Sequence, residues 1–403
     1  MRQIVIAVVF LSFSVETATA QPAREAAREA GAYEKSLLLA AEAASKKFVD
    51  EFVVTEEALE IHNAGMLFDG HNDLPWTMRM RADSSFDKID ISEPTEFHTD
   101  IDRLKKGGLK AQFWSVYVPA STMAGGNAHI TTLEQIDLVH RMCERYPDVF
   151  EMALTAEDIE RIVGDGKIAS LIGVEGGHSI ENSLARLREL YDRGARYMTL
   201  THSRNLDWAD SCTDEPKVGG LNDFGEEVVR EMNRLGMLVD LSHVSPECMK
   251  KALAVTEAPV IYSHSSARAI CDHPRNVPDD VLELTADNGG VVMVNFYTGF
   301  VLPKGVTQID RRALGDFRII IDHIDHIVDV AGIDHVGIGS DYDGISRLPR
   351  GADDVSYYPW LTQELLNRGY TREQIHKILG GNVLRVLRES EAVAARLQAE
   401  SDE

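Results

Sequence analysis

The chain is 403 residues long, and 41 Lys and Arg against 65 Asp and Glu leave a formal charge of −24. A hydrophobic share of 44% beside 26% charged residues is ordinary globular composition, which excludes a disordered or fibrous chain. Such acidity argues against nucleic acid or an anionic membrane surface as partners, because neutralising phosphates needs clustered Lys and Arg.

The chain starts with a basic residue, Arg2, followed by an apolar run from Ile4 to Val15 and the small-x-small triplet Ala18-Thr19-Ala20. That order is the form of a secretory signal peptide, assigned to residues 1–20. The run is too short to span a bilayer, and no later stretch is longer. No cysteine follows the cleavage triplet to carry a lipid, and the stretch from Glu391 to Glu403 is charged rather than apolar. The expectation is an exported chain with no membrane anchor, periplasmic in a bacterium and secreted otherwise. The four cysteines, Cys143, Cys212, Cys248 and Cys271, are too few and too scattered for a disulfide scaffold, and their pairing is not legible.

Residues 21–63 are rich in Ala, Glu, Lys and Leu, which is helix-forming composition, and Leu37, Leu38, Leu39, Phe48 and Phe52 supply an apolar face. They are read as a helical extension of the main domain, residues 64–390, with residues 391–403 as a charged tail. Within the main domain eight short apolar runs recur: Met66 to Asp69, Ala111 to Val118, Ser170 to Val174, Tyr197 to Thr201, Leu238 to Leu241, Val260 to Ser263, Val291 to Phe296 and His335 to Gly339. Helical patterns lie between them, at Leu133 to Arg145, Ser183 to Arg193, Asp223 to Leu235, Pro246 to Thr256 and Arg318 to Ala331. Strands alternating with helices in this number predict an α/β fold of the (β/α)8 TIM-barrel type. An open nucleotide-binding sheet has no support, since neither glycine-rich phosphate motif occurs.

Ionisable residues fall at the ends of those runs. His71 and Asp73 follow the first, Glu175 the third, His202 the fourth, His243 the fifth, His264 the sixth and Asp341 the eighth. In a parallel barrel these ends meet at one mouth, where such barrels build active sites. Each residue alone has a structural explanation, a hydrogen-bonded histidine or a capping aspartate. Seven together suit a divalent metal bound through nitrogen and oxygen. His178, His323 and His326 are read as structural, the last two on an exposed acidic helix face beside Asp322 and Asp325. Trp76, Trp114 and Trp208 are candidates to line the pocket, with core packing the default for each.

The segments carrying these residues resemble the membrane dipeptidases, the renal dipeptidase family of amidohydrolase-like metal barrels. They are Asp69 to Trp76, Gly173 to His178, Leu200 to Asn205 with Trp208 to Asp210, and Leu238 to Ser245. Ser263 to Ala267, Arg275 to Asp280, Val292 to Tyr297, Gly337 to Gly344 and Gly380 to Asn382 complete the match, which spans Leu67 to Leu387. The resemblance implies a zinc-dependent dipeptidase acting through a metal-bridging hydroxide. His71 and Asp73 would bind one Zn2+, His243 and His264 the other, and Glu175 would bridge them. Asp341 would be the general base and acid, His202 would steady the oxyanion, and Arg275 would hold the substrate's terminal carboxylate. Dipeptide substrates and a homodimer are implied as well. Two departures stand out: Phe300 replaces a tyrosine of vertebrate members, and Pro303 stands where the cysteine partner of Cys271 would be. Rival readings are a metal-dependent hydrolase of other small amides or lactams, and an exported binding protein without catalysis.

Overall fold

The structure, a computed structural model, describes residues 43–302 and 315–401. Residues 1–20, most of the N-terminal extension and Pro303 lie outside them. The strands are β1 (Phe68–Asn72), β2 (Ala111–Ser115), β3 (Phe150–Met152), β4 (Ile168–Glu175), β5 (Ala195–Thr199), β6 (Leu238–Asp240), β7 (Ile261–Tyr262), β8 (Val291–Val294) and β9 (Val336–Ile338). All pairings among them are parallel, and β1 pairs with both β2 and β9 while β2 also pairs with β4. Eight strands therefore close into a ring in the order β1, β2, β4, β5, β6, β7, β8, β9. The short β3 stays outside it, bonded to the first half of β4 through Phe150 opposite Ile168.

The eight runs expected from the sequence are the eight strands of the ring, which confirms the (β/α)8 barrel. Alternation along the strands sorts their side chains into two layers. Phe68, Phe113, Leu171, Tyr197, Leu238, Ile261 and Met293 form one buried cluster inside the ring. Trp114, Ile172, Val174, Met198, Val239 and Val292 belong to the second, between strands and helices. Gly173 marks where the inner layer is tightest, since a Cβ there would sit 2.0 Å from the Tyr197 ring.

The helices start and stop on local signals. Asn222 caps helix Asp223–Leu235 by accepting from Gly225 N, and Gly236 ends it in the left-handed conformation at φ 81°. Ser245 caps helix Pro246–Val255, with proline at its first position. Helix Glu56–Ala64 docks on the barrel through buried His62, which bonds Thr362 Oγ1 at 2.7 Å and Gly107 O at 2.8 Å. The charged stretch after Glu391 continues helix Asn382–Ser401, where Glu391 accepts from Ala156 N at 2.8 Å. Val383, Leu384 and Leu387 of that helix join the inner cluster. Among the described residues no helix is long and apolar enough to cross a membrane.

Candidate active site

The strand ends bring the expected residues to one mouth. His71 lies within β1, and Asp73 follows it as the residue before helix Leu74–Ala82. Glu175 is the last residue of β4, and His202, His243, His264 and Asp341 sit in the loops after β5, β6, β7 and β9. His243 and Asp341 adopt φ of 68° and 65°. For histidine that conformation costs about 1–2 kcal/mol, strain that the surrounding loop must hold.

Glu175 is the centre of the cluster. Its Oε1 lies 3.1 Å from His243 Nε2, 3.4 Å from His264 Nε2 and 3.6 Å from His202 Nε2. Its Oε2 faces His71 Nε2 at 3.6 Å, and His71 Nε2 is 3.2 Å from Asp73 Oδ2. The nitrogens of His243 and His264 approach to 3.0 Å. Three sets of donor atoms each fall within 4.8 Å: His71 with Asp73 and Glu175, Glu175 with His243 and His264, and His71 with His264 and Asp341.

This donor set fits metal ions. Ligands bonded at about 2.0–2.2 Å in a tetrahedron stand about 3.4 Å apart, close to the spacings seen. The tautomer of His264 points the same way. Ser263 Oγ donates to Asp240 Oδ2 at 2.7 Å, so it accepts from His264 Nδ1 at 2.8 Å. The lone pair on His264 Nε2 is then aimed at the Glu175 carboxylate, an arrangement that a cation between them makes favourable. Asp73 Oδ1 is buried without a hydrogen-bond partner, which leaves it available to a metal. Burial holds His243 and His264 well below the usual histidine range, so both present neutral donors. Burial opposes the charge of Glu175, but the surrounding imidazoles hold it well below the usual carboxylate range.

Buried groups behind the ligands fix them. Asp240 accepts from Ser263 N at 2.8 Å and Ser242 N at 3.0 Å, tying the β6 and β7 loops together. Asp69 does the same between β1 and β9, accepting from Ser340 Oγ and Tyr358 OH at 2.6 Å each. Gly176 follows Glu175 at φ 119°, and a Cβ there would come within 2.5 Å of His178 Nδ1. Only glycine lets that ring fold back behind the site, where His178 Nε2 bonds Val118 O at 2.9 Å.

The cluster forms the floor of a cavity of about 350 Å³. Arg275, only 2% exposed, enters its wall through bonds to His264 O at 3.1 Å and Ser265 Oγ at 3.3 Å. Among the described residues it has no carboxylate partner, so its charge is available to an anion. Asp341 Oδ2 accepts from Asn295 Nδ2 at 2.8 Å. Burial pushes Asp341 up to about 8, with Asp73 and Glu175 adding to the rise, which suits a group that exchanges protons near neutrality. Burial lowers His202, so it presents a neutral imidazole, tilted against the Tyr117 ring with centroids 4.9 Å apart. Asp343 accepts from His98 N at 2.8 Å and lines the cavity as a loop anchor.

All eight residues singled out from the sequence thus meet in one place. Others were not legible. Trp76 lines the cavity edge-on to Tyr117, whereas Trp114 and Trp208 are core. Tyr197 lies outside every matched segment, and Asp240, Asn295 and Tyr297 lie inside matched segments without having been given a role. His323 is corrected: it is fully buried, accepting from Ala267 N at 3.0 Å and donating to Val301 O at 3.0 Å. The neighbouring acids turn aside to Arg368, Asp322 at 2.7 Å and Asp325 at 2.6 Å.

Residues 55–401 match the family model described as membrane dipeptidase, peptidase family M19. Dipeptidase 3 of Mus musculus is 44% identical over 351 residues, covering 86% of this chain and 69% of that protein. A metallo peptidase of Rhodobacter sphaeroides, solved with a phosphinate mimic of the dipeptide L-Ala-D-Ala, superposes with a TM-score of 0.73 at 25% identity. That match covers 81% of this chain and 99% of the solved one. The probable dipeptidase PvdM of Pseudomonas aeruginosa shares the fold with a TM-score of 0.76 at 24% identity, over 85% and 99% of the two chains.

Proposed function

The chain belongs to the membrane dipeptidase family M19, a family of metal-dependent peptide hydrolases, and on that premise we propose that it cleaves dipeptides at a dinuclear zinc site. The observation that carries this reading is the pair of donor sets sharing Glu175, His71 with Asp73 on one side and His243 with His264 on the other. These residues would hold two zinc ions, which would supply Lewis acidity to activate water and to polarise the scissile carbonyl.

The remaining steps belong to side chains. Arg275 binds the terminal carboxylate and so measures the length of the substrate, accepting dipeptides and refusing longer chains. His202, neutral and packed against Tyr117, presents an N–H towards the oxygen on which charge develops. Asp341, steadied by Asn295, takes the proton of the attacking water and returns it to the leaving amine. The ligand bound to the Rhodobacter relative supports a dipeptide as the occupant of this cavity. The pattern of residues 1–20 supports action after export, and the family resemblance supports a homodimer.

Hydrolysis of Ala-Ala beside Ala-Ala amide, with and without a chelator, tests the proposal. Chelator-sensitive cleavage confined to the free acid is expected. Cleavage of neither, with small lactams hydrolysed instead, would contradict it.

A further inference from the structure

Beyond Arg275 the cavity carries a second group suited to an anion. Tyr297 and Phe300 both line it, their rings edge to face with centroids 4.8 Å apart. The face of Phe300 lies over the Arg275 guanidinium at 5.3 Å. On the other side, Arg347 donates through Nη2 to the phenol oxygen of Tyr297 and lies 5.2 Å from the centre of its ring. Thr298 N bonds Arg347 O at 3.1 Å, which ties the Arg347 backbone to the Tyr297 segment. Ser346, immediately before Arg347, also lines the cavity.

The chemistry of this pair is unusual for so acidic a chain. Most arginines on the described surface meet a carboxylate, as Arg79 meets Glu134 and Arg368 meets Asp322. Arg347 has no carboxylate within ion-pair distance among the described residues. Because its guanidinium fills a lone pair of the Tyr297 oxygen, the phenol proton is left as the group's outward donor, polarised by the charge behind it. No acceptor for that proton lies among the described residues. The acids lining the cavity are Asp73, Glu175 and Asp341, which gather with the candidate metal donors and would repel an anionic side chain there, and Asp343, which accepts from His98 N at 2.8 Å. Phe300 stands between Arg275 and Tyr297 and keeps them as two separate stations.

We propose that Tyr297 and Arg347 recognise the side-chain carboxylate of an acidic C-terminal residue while Arg275 holds the α-carboxylate, so that dipeptides ending in Asp or Glu are the favoured substrates. The inference rests on the dipeptidase reading above and names its substrate class. It runs against the net charge of −24, which disfavours a dipeptide with two carboxylates and a net charge of −1 at long range. A preference for such a substrate therefore requires a local cation.

The test is the ratio of kcat/KM for Ala-Glu over Ala-Gln, which share shape and α-carboxylate, so that common losses of folding or metal divide out. The wild-type ratio is expected to be about tenfold or more, the usual range for a hydrogen bond to a charged group. It should fall to near one in both R347M and Y297F. A wild-type ratio of one or below overturns the proposal, as does a ratio that survives both substitutions. If Ala-Ala is cleaved while the ratio is one, this inference alone fails. If no dipeptide is cleaved, the dipeptidase reading fails and takes the inference with it.

Discussion

Tyr197 OH lies 2.8 Å from His71 Nδ1, although 126 positions separate the two residues in sequence. Tyr197 rises from β5 through the inside of the barrel to hold a candidate ligand on β1. Its path is open because Gly173 on β4 has no side chain to block the ring. Removing the hydroxyl in Y197F should leave the barrel folded but free His71 to turn. Loss of such an outer partner weakens metal binding by about 10–100-fold. A zinc titration against a competing chelator would show it, and wild-type affinity in Y197F would mean that packing alone orients His71.

Asp341 receives Asn295 Nδ2 on one oxygen and is buried beside the ligand cluster. D341N keeps the shape and removes the proton acceptor. Turnover should fall by about 10²–10⁴-fold, the usual contribution of a positioned acid and base. Metal content should stay at the wild-type level. Persistent turnover with metal bound would remove Asp341 from proton transfer.

Arg275 has no acidic partner among the described residues, and it lines the cavity. R275A should raise KM for dipeptides by about 10–100-fold, as expected for losing a hydrogen bond to a charged group. Discrimination against amidated dipeptides should fall with it. Unchanged selectivity would place the carboxylate elsewhere in the cavity.

His323 makes stability depend on pH. Burial pushes it down to about 4, below its ordinary value of 6.5. The unfolded chain therefore binds a proton that the folded chain refuses between those values, and stability falls as pH drops from about 6.5 to about 4. The loss amounts to about 3 kcal/mol at 1.36 kcal/mol per pKa unit. H323L should be less stable than wild type at pH 7, because Ala267 N and Val301 O lose their partner, and the difference should shrink towards pH 4. Urea melts at several pH values would measure it, and parallel pH profiles for the two proteins would refute the account.

What the sequence disclosed and withheld follows from the physics of each element. Barrel strands are buried on both faces, so they stand out as short apolar runs, and all eight were legible in order. β3 was not, because it is three residues long and its Glu151 and Met152 are only partly buried. The candidate ligands were legible because barrel geometry turns strand ends into one site. His323 was misread from the charges at Asp322 and Asp325. The helical stripe of Ile320, Ile324 and Ile327 already placed it on the buried face. Tyr297 and Arg347 form their pair only in three dimensions, fifty residues apart.

The central claim is that Glu175 joins two metal ions in one site. Elemental analysis of the purified wild-type protein and of E175Q tests it most directly. The account predicts about two zinc equivalents per chain in wild type and a clear drop in E175Q, because the amide brings no charge to share between cations. One equivalent in wild type, or two tightly held in E175Q, would contradict it.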